Sequence, residues 1–436
     1  MDVGDQLDLR IDDVAHGGVF VARHGAGEGE RGRVVFVPDT LPGEEVRARL
    51  VDTSKKAFWR AEVVAVTRAS PDRRPHVWRQ ADLATPPANR PGGADFGHIA
   101  LDAQRALKKR VVEDALRRIG GAEREVTIVP AGTSAGTESP DATRWRTRVS
   151  LHVDDRGAVG PYAVRSHRVV TVTELPLATL EIEEAMSSLG RLQKGRVDLV
   201  QPADGRVRVI PRPEHGRRGP DQSPETREVV TERVGGRAFR VDAGGFWQIH
   251  RLAAATLTET VTQALRRSGA FDPDALHLDL YGGVGLFAAA LGDLGGARTR
   301  TISVESDARA TAHATENLAA WPAMRAETGR VDRWLPRFAQ GLSRSDADAL
   351  ARGTILLDPP RAGAGREVVD AVAGLTPAAV VYVACDPVAL ARDLRTFRDH
   401  GYDTARVEAI DLFPHSHHVE AVAVLTAEGR VDRVLT

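Results

Sequence analysis

The chain has 436 residues, of which 42% are hydrophobic and 27% charged, and its 59 basic and 60 acidic residues give a net charge of −1. This ordinary composition excludes wholesale disorder, and the balanced charge gives no overall attraction to nucleic acid, although a basic face can still form locally. Cys385 is the only cysteine. A disulfide scaffold and an all-thiolate metal site are therefore excluded. At about 100–200 residues per domain, the length predicts two to four domains.

The amino terminus and the hydropathy pattern predict a cytoplasmic protein that does not enter a membrane. Residues 1–5 include two aspartates and lack the basic-then-apolar pattern of a signal peptide. No apolar run approaches the roughly 20 residues needed to span a bilayer.

Residues 1–66 predict a small β-barrel. Short apolar runs such as residues 34–37 recur about every 8–12 residues, and turn-forming stretches such as 25–32 and 41–44 separate them. The even spacing of short strands and Gly- or Pro-containing turns is typical of a closed or nearly closed barrel.

Residues 67–245 predict a mixed α+β domain. Apolar residues at helical spacing indicate helices over 98–119 and 180–192. Turn residues at 154–157 and 203–205 lie between alternating segments and indicate hairpins.

Residues 246–436 change to alternating helices and strands. The predicted elements are a helix over 253–267, a strand over 276–280, a helix over 286–294, a strand over 301–304, a helix over 307–320, a strand over 354–357, a helix over 366–374, a strand over 379–383, a helix near 387–400 and a strand over 421–425. This alternation, with short apolar strands, indicates a doubly wound, largely parallel sheet. The predicted fold class is α/β: a C-terminal Rossmann-like domain, preceded by the small barrel and the mixed α+β domain.

A glycine-rich turn follows the first strand of this sheet. Gly283, Gly285 and Ala288 fit the pattern G-x-G-x-x-G/A, and Glu305 ends the next strand. Glycines let the backbone approach a ligand closely, and an acidic side chain at this place can accept both hydroxyls of a ribose. The pair predicts a nucleoside-type ligand, either NAD or S-adenosylmethionine. The alternative is a tight strand-to-helix turn without a ligand.

Three more polar residues stand at strand ends. Asp358 is followed by two prolines, which give a rigid loop, or simply a surface turn. Cys385 precedes a helix begun by Pro387, where a helix N-terminus can lower a thiol pKa and favour a nucleophile, although a lone cysteine is more often a small buried hydrophobe. Glu420 begins the last strand as a general base or as an ion-paired strand end.

Three histidines precede Glu420, namely His415, His417 and His418. The cluster has no carboxylate or thiolate at ligand spacing, so no metal site is predicted there.

These motifs, in this order, resemble the RNA 5-methyluridine (uracil-C5) methyltransferase family, over nearly the whole chain. The resemblance implies a class I methyltransferase domain at 246–436, a central RNA-binding domain at 67–245 and an OB-like, RNA-binding TRAM barrel at 1–66. It implies that S-adenosylmethionine is the cofactor, that Cys385 is the nucleophile and that Glu420 is the general base. The residues implied to bind the cofactor are Gln248, Tyr281, Gly283, Gly285, Glu305 and Asp358.

The chain departs from the family pattern at three places. Leu286 stands where many members have an asparagine that contacts the cofactor, and His250 replaces an asparagine two residues after the matching glutamine. Some members bind a four-iron cluster through cysteines, but the matching stretch here, residues 91–96, has no thiol. No iron–sulfur cluster is therefore expected.

The sequence thus predicts methyl transfer to C5 of a uridine in ribosomal or transfer RNA. Uracil C5 is a poor nucleophile, so a thiolate must first add at C6, and a base must later remove the C5 proton. The target base must also leave its stack, which favours a loop or a flipped nucleotide. RNA is the expected partner, with no obligate protein partner.

Two other functions are compatible with parts of the sequence. An NAD-dependent oxidoreductase would explain the glycine-rich turn and Glu305, but it leaves Asp358, Cys385 and Glu420 without a joint role. A non-catalytic RNA-binding protein would explain Leu286 and His250, but not the intact Cys385 and Glu420.

Overall fold

The computed structural model describes residues 1–25, 32–133, 136–164, 166–214, 223–404 and 406–427. Residues 26–31 of the predicted turn at 25–32 lie outside this part of the chain. No helix in the described ranges is both long enough and apolar enough to cross a membrane.

The amino-terminal strands close into a barrel, as predicted. They are β1 (Gln6–Ala15), β2 (Val19–His24), β3 (Arg33–Val37), β4 (Glu45–Asp52) and β5 (Phe58–Arg68), in the order β1-β2-β3-β5-β4. In β1, Leu7, Leu9 and Ile11 are buried and the residues between them are exposed. Side chains alternate between the two faces of a strand, so this period-two pattern fills the barrel interior.

The middle of the chain is a mixture of short helices and antiparallel strands. Its elements are α1 (Leu101–Arg118), β6 (Glu125–Pro130), β7 (Gly132–Thr133), β8 (Gly136–Thr137), β9 (Arg148–Val153), β10 (Val159–Gly160), α2 (Leu180–Ser187), β11 (Gly195–Val200), β12 (Arg208–Pro213), α3 (Pro224–Arg227), β13 (Val229–Val234) and β14 (Arg237–Asp242). Strands β10, β9, β11 and β12 form one sheet, while β13 pairs with β14.

Both predicted hairpin turns of this region are present. Residues 154–157 connect β9 to β10, and residues 203–205 lie between β11 and β12. Helix α2 ends at Ser187, five residues earlier than predicted. The hydroxyls of Ser187 and Ser188 donate hydrogen bonds to backbone carbonyls four residues back, which competes with continuation of the helix.

The remaining elements form the predicted α/β sheet. They are α4 (Ala253–Ser268), β15 (Leu276–Leu280), α5 (Leu286–Gly295), β16 (Arg300–Glu305), α6 (Ala308–Asn317), β17 (Arg325–Thr328), α7 (Val331–Gly341), α8 (Arg344–Leu350), β18 (Thr354–Leu357), α9 (Arg366–Gly374), β19 (Ala379–Ala384), α10 (Pro387–Asp399), β20 (Tyr402–Asp403), β21 (Arg406–Asp411) and β22 (Glu420–Ala427). The strand order is β17-β16-β15-β18-β19-β22-β21-β6, and β20 also pairs with β22. Every residue of β15, β18 and β19 is buried, as expected for strands covered on both faces.

The sheet is parallel from β17 to β19, whereas β22 runs antiparallel to both of its main neighbours, β19 and β21. Four of its strands, β6, β17, β20 and β21, were not predicted from the sequence. β6 comes from the range 67–245 and pairs in parallel with β21, and α1 packs beside α10. The division of the chain at 66/67 and 245/246 stays a prediction. One edge strand of the large sheet, β6, comes from the range 67–245 rather than from 246–436.

Candidate active site

Three of the predicted residues form one row at the carboxyl edge of the sheet. The parallel register aligns Val304 of β16, Leu280 of β15 and Leu357 of β18 in three adjacent strands. The next residue on each strand is therefore Glu305, Tyr281 or Asp358. We call these three residues the edge row. Neighbouring strands lie about 4.8 Å apart, so three side chains from distant parts of the chain share one crevice.

The glycine-rich turn bends directly in front of this row. Tyr281 adopts φ of 64°, and Gly283 and Gly285 adopt 55° and 88°. Positive φ is costly for a side chain such as that of tyrosine, and non-glycine residues of this kind concentrate at functional sites. A Cβ at Gly283 would project into open space. The turn thus presents bare backbone to the crevice, as a loop that must approach a ligand closely requires.

The Glu305 carboxylate joins the turn to the next strand. Its Oε2 accepts a hydrogen bond from the Gly283 amide at 3.1 Å, and its Oε1 accepts from the Ser306 hydroxyl at 2.9 Å and the Asp307 amide at 2.8 Å. A carboxylate has about four acceptor positions, so one remains on Oε2, and rotation of the Ser306 hydroxyl frees another. This arrangement suits a ligand that offers two neighbouring hydroxyls.

Asp279, in β15, lies beneath the turn. Its Oδ2 accepts from the Ala288 amide at 3.2 Å and from the Ser303 hydroxyl at 3.0 Å, while its Oδ1 is buried and has no hydrogen-bond partner among the described residues. Burial, reinforced by the charge of Glu305, raises the pKa of this carboxyl to about 6. A carboxylate inside a short strand whose other residues are three leucines and a histidine was the signal that could have identified it.

Cys385 and Glu420 come together at the junction of β19 and β22. The antiparallel register ends at the pair Ala384–Ala421, so Cys385 and Glu420 each adjoin the last cross-strand pair, and the charge of Glu420 acts on the Cys385 thiol. We call these two residues the thiol pair. Residues directly opposite on such strands have Cβ atoms about 5 Å apart. The two candidates for nucleophile and base are therefore neighbours, although they are far apart in sequence.

Burial dominates the electrostatics of the thiol pair. It raises the pKa of Cys385 to about 11, with a further contribution from Glu420. It also raises the pKa of Glu420, with a further contribution from Asp358. The helix N-terminus was expected to lower the thiol pKa, but in the protein without substrate burial outweighs the lowering effects of Arg361 and of a backbone hydrogen bond.

Arg361 provides the positive charge next to these groups. Its exposed guanidinium lowers the pKa of both Cys385 and Glu420, against the effect of burial. Asp358 lies three residues earlier; burial, together with Asp279, raises its pKa to about 7. Arg361 directly follows the two prolines after Asp358, and only the fold shows that its charge acts on the thiol pair.

Gln248 is not on the sheet edge. It lies in the segment between β14 and α4, between Trp247 and Ile249, which both line a cavity of about 350 Å³. Arg146 and Arg148 also line this cavity. Burial, together with the charge of Arg361, lowers the pKa of Arg146, which makes no ion pair within the described ranges.

The histidines before β22 have structural partners. His415 Nε2 lies 2.8 Å from the carbonyl oxygen of Asp141, and His417 Nδ1 lies 2.6 Å from Asp95 Oδ2. Across the ranges that the structure describes, no group of three or more His, Cys, Asp or Glu side chains is arranged to hold a metal ion.

His250 and Leu286, the two residues near the site that depart from the family pattern, are both buried. His250 stacks on Trp145 with ring centroids 5.3 Å apart, and burial lowers its pKa to about 4. Leu286 is 8% exposed and packs in an apolar cluster with Val284 and Leu318.

Comparison with known proteins gives a consistent result over the whole chain. Residues 274–428 match the tRNA (uracil-5-)-methyltransferase family, and residues 2–64 match the TRAM domain. An RNA methyltransferase of Streptomyces avermitilis, described as uncharacterized, is 38% identical over 97% of this chain and 98% of its own. Another from Bifidobacterium longum is 33% identical over 97% of both chains.

A solved structure shares the fold. It is the tRNA (uracil-54, C5)-methyltransferase of Pyrococcus abyssi, in complex with S-adenosyl-L-homocysteine, with a TM-score of 0.65 and 20% identity. The match covers 96% of this chain and 99% of that one. It supports a class I methyltransferase fold preceded by the barrel.

Proposed function

This chain belongs to the tRNA (uracil-5-)-methyltransferase family and carries a TRAM domain, and from this premise we propose that it transfers a methyl group from S-adenosylmethionine to C5 of a uridine in RNA. The observation that carries the proposal is that Cys385 and Glu420 adjoin the last β19–β22 pair, Ala384–Ala421, at the sheet edge that also holds Glu305. A thiol, a carboxylate and a nucleoside-type site in one crevice are the groups that uracil-C5 methylation requires.

The residues of the turn and the edge row fit S-adenosylmethionine. The bare backbone at Gly283 gives room for the ligand, and Glu305 has acceptor capacity for the two ribose hydroxyls. Tyr281 and Asp358 flank the same place, and Gln248 is proposed to reach it from the β14–α4 segment. When bound, the cofactor supplies an electrophilic methyl group.

The chemistry assigns one step to each member of the thiol pair. The Cys385 thiol loses its proton to water, and the thiolate adds to C6 of the uracil, which makes C5 nucleophilic. C5 then takes the methyl group. The Glu420 carboxylate removes the remaining C5 proton, and the bond between sulfur and C6 breaks to restore the ring and the thiolate. Arg361 stabilises both anions, because its charge opposes the effect of burial on their pKa values.

The RNA is proposed to enter beside the central domain. Arg146 lines the 350 Å³ cavity without a carboxylate partner in the described ranges, whereas Arg148, which also lines it, is paired with Glu232. Guanidinium groups of this kind suit phosphate oxygens and base edges. A target uridine must be flipped out of its stack to reach the thiol pair, so a loop of transfer or ribosomal RNA is the proposed substrate.

Two substitutions test the mechanism. Cys385→Ala should abolish methyl transfer, because no other thiol exists in the chain. Glu420→Gln should still form the sulfur–C6 bond but fail to remove the C5 proton, so a covalent protein–RNA adduct should persist on a denaturing gel. The double variant is the matched control and should give no adduct. Methylation of uridine C5 by Cys385→Ala protein would overturn the mechanism.

Ligand binding and RNA analysis test the rest of the proposal. S-adenosylmethionine at a hundred times its Kd stabilises a folded protein by about 2.7 kcal/mol, so it should raise the melting temperature, whereas NAD should not. Nucleoside mass spectrometry of transfer and ribosomal RNA from a deletion strain should show which RNA loses 5-methyluridine. If neither fraction changes, the uridine-C5 assignment is wrong.

A further inference from the structure

The tip of the β1–β2 hairpin of the barrel contacts the turn that carries Cys385. Residues 16–18 form this tip, since Ala15 pairs with Val19. His16 Nε2 lies 3.1 Å from Asp386 Oδ2. Asp386 follows Cys385 directly, so a side chain of the TRAM barrel touches the immediate neighbour of the proposed nucleophile.

Asp386 uses its two oxygens for two different purposes. Oδ1 accepts hydrogen bonds from the amides of Val388 at 3.0 Å and Ala389 at 2.8 Å, which caps the N-terminus of α10. Oδ2 is directed to His16 of the barrel. The carboxylate thereby fixes the start of α10 to the barrel, and Cys385 lies at this junction.

The hairpin tip is held at a second point. Gly18 packs against the pair formed by Asp95 and His417, where a Cβ on Gly18 would lie 2.5 Å from Asp95 Oδ2 and 2.8 Å from His417 Nδ1. The tip also lines a small cavity together with Cys385. The barrel is therefore one wall of the thiol's surroundings.

We propose that His16 is a positioning residue, which holds the Cys385–Asp386 turn against the barrel and so places the thiol for attack. The inference rests on the proposed role of Cys385 as nucleophile. The contact makes the position of the Cys385 sulfur depend on the position of the barrel relative to α10. RNA that is bound by the barrel then lies next to a correctly placed sulfur. A misplacement of about 1 Å at a reacting group can cost on the order of a hundredfold in rate.

The chain offers a direct test because Cys385 is its only thiol. Alkylation by iodoacetamide at pH 8, without RNA, reports this sulfur alone. His16→Ala should speed alkylation about threefold or more, because one wall of a buried thiol is loosened, and should slow methyl transfer about tenfold with KM for RNA within about twofold. His16→Gln keeps a donor near the position of Nε2 and should restore both rates to within about threefold.

Two further variants separate positioning from general damage. Asp13→Asn breaks another exposed barrel contact, the 2.8 Å pair with Arg110 of α1, and should leave both rates unchanged. Gly18→Ala forces the tip away from Asp95 and His417 and should reproduce the effects of His16→Ala. Unchanged alkylation in His16→Ala protein, or an effect on KM for RNA alone, would overturn the proposal. Because alkylation needs no RNA, it remains informative even if wild-type protein methylates no RNA and the proposed function fails.

Discussion

The edge row and the thiol pair lie on the same edge of one sheet, but they are built in different ways. Glu305, Tyr281 and Asp358 follow three adjacent parallel strands, so the strand register alone aligns them. Cys385 and Glu420 meet where the sheet changes to antiparallel pairing, and the barrel supplies part of their surroundings. One half of the edge therefore depends on the sheet, and the other half depends on how separate parts of the chain are assembled.

The two halves also differ in electrostatics. Glu305 is only partly buried and accepts three hydrogen bonds in the protein alone. Glu420 is 6% exposed and its carboxylate has no hydrogen-bond partner in the described part of the chain, and burial raises its pKa and that of Cys385. A hydrogen-bonded carboxylate suits stable ligand binding, whereas a thiol and a carboxyl whose charged forms are destabilised by burial suit proton transfer and bond formation.

Glu305→Ala is expected to have the largest effect on cofactor binding, and it tests whether the edge row and the thiol pair have different roles. Loss of a charged acceptor for two hydroxyls should raise the Kd for S-adenosylmethionine several hundredfold, which corresponds to about 3–4 kcal/mol. Isothermal titration calorimetry measures this Kd. Cys385→Ala should bind the cofactor within about twofold of wild type, because the thiol lies on the other half.

Glu305→Gln is the matched variant for this comparison. It retains one acceptor oxygen and should give an intermediate Kd. Circular dichroism should show that each protein is folded, since Glu305 also accepts from the Gly283 amide. Wild-type affinity in Glu305→Ala protein would show that the edge row does not bind the ribose.

The difference between the edge row and the thiol pair also explains which features could be predicted from the sequence. The barrel strands, the parallel strands β15, β16, β18 and β19 and the turn at Gly283 leave local patterns of period, glycine and strand-end polarity, so their positions followed from the sequence. The neighbourhood of Cys385 and Glu420 came only through the resemblance, because pairing of β19 with β22 is not visible in either segment alone. β6 was missed because it is a short outer strand with one fully buried residue, Val126.

The barrel contact of His16 left no sequence signal at all. His16 is an exposed histidine in a hairpin turn, and its partner Asp386 has a sufficient local role as a helix cap. The direction of the thiol pKa shift could not be predicted from the sequence either. A helix N-terminus can be predicted from local residues, but the burial of Cys385 depends on how the whole chain folds.

A second, smaller effect concerns the family departure in the turn. Leu286→Asn restores the residue that many relatives have, but it places an amide where Leu286 now packs against Val284 and Leu318. Loss of apolar burial and an unpartnered amide should lower the free energy of unfolding by roughly 2–3 kcal/mol, without tightening cofactor binding. Urea denaturation and calorimetry measure the two quantities. Leu286→Met is the control and should cost less than about 1.5 kcal/mol. A tenfold gain in affinity for Leu286→Asn would mean that the family contact is missing here.

The smallest expected effect tests whether Asp358 belongs electrostatically with the thiol pair. Its pKa is about 7 in the folded protein, against about 3.9 in an unfolded chain. The folded state therefore holds this proton to higher pH than the unfolded state does. The stabilising contribution of the protonated carboxyl is complete below about pH 4 and is lost as the pH rises through about 7.

Asp358→Asn cannot ionise, so its free energy of unfolding relative to wild type should increase from about pH 4 to pH 7 and stay level above. After allowance for partial exposure, we expect a gain of about 1–2 kcal/mol at pH 8, accompanied by weaker cofactor binding. Urea denaturation at pH 5, 6, 7 and 8 measures the trend. Asp8→Asn provides a control of opposite sign, since the hydrogen bond from Arg47 lowers the pKa of Asp8, so this variant should not be stabilised at pH 8. A pH-independent difference for Asp358→Asn would show that Asp358 is ionised throughout and belongs with Glu305 as a binding group, rather than with the desolvated acids beside Cys385.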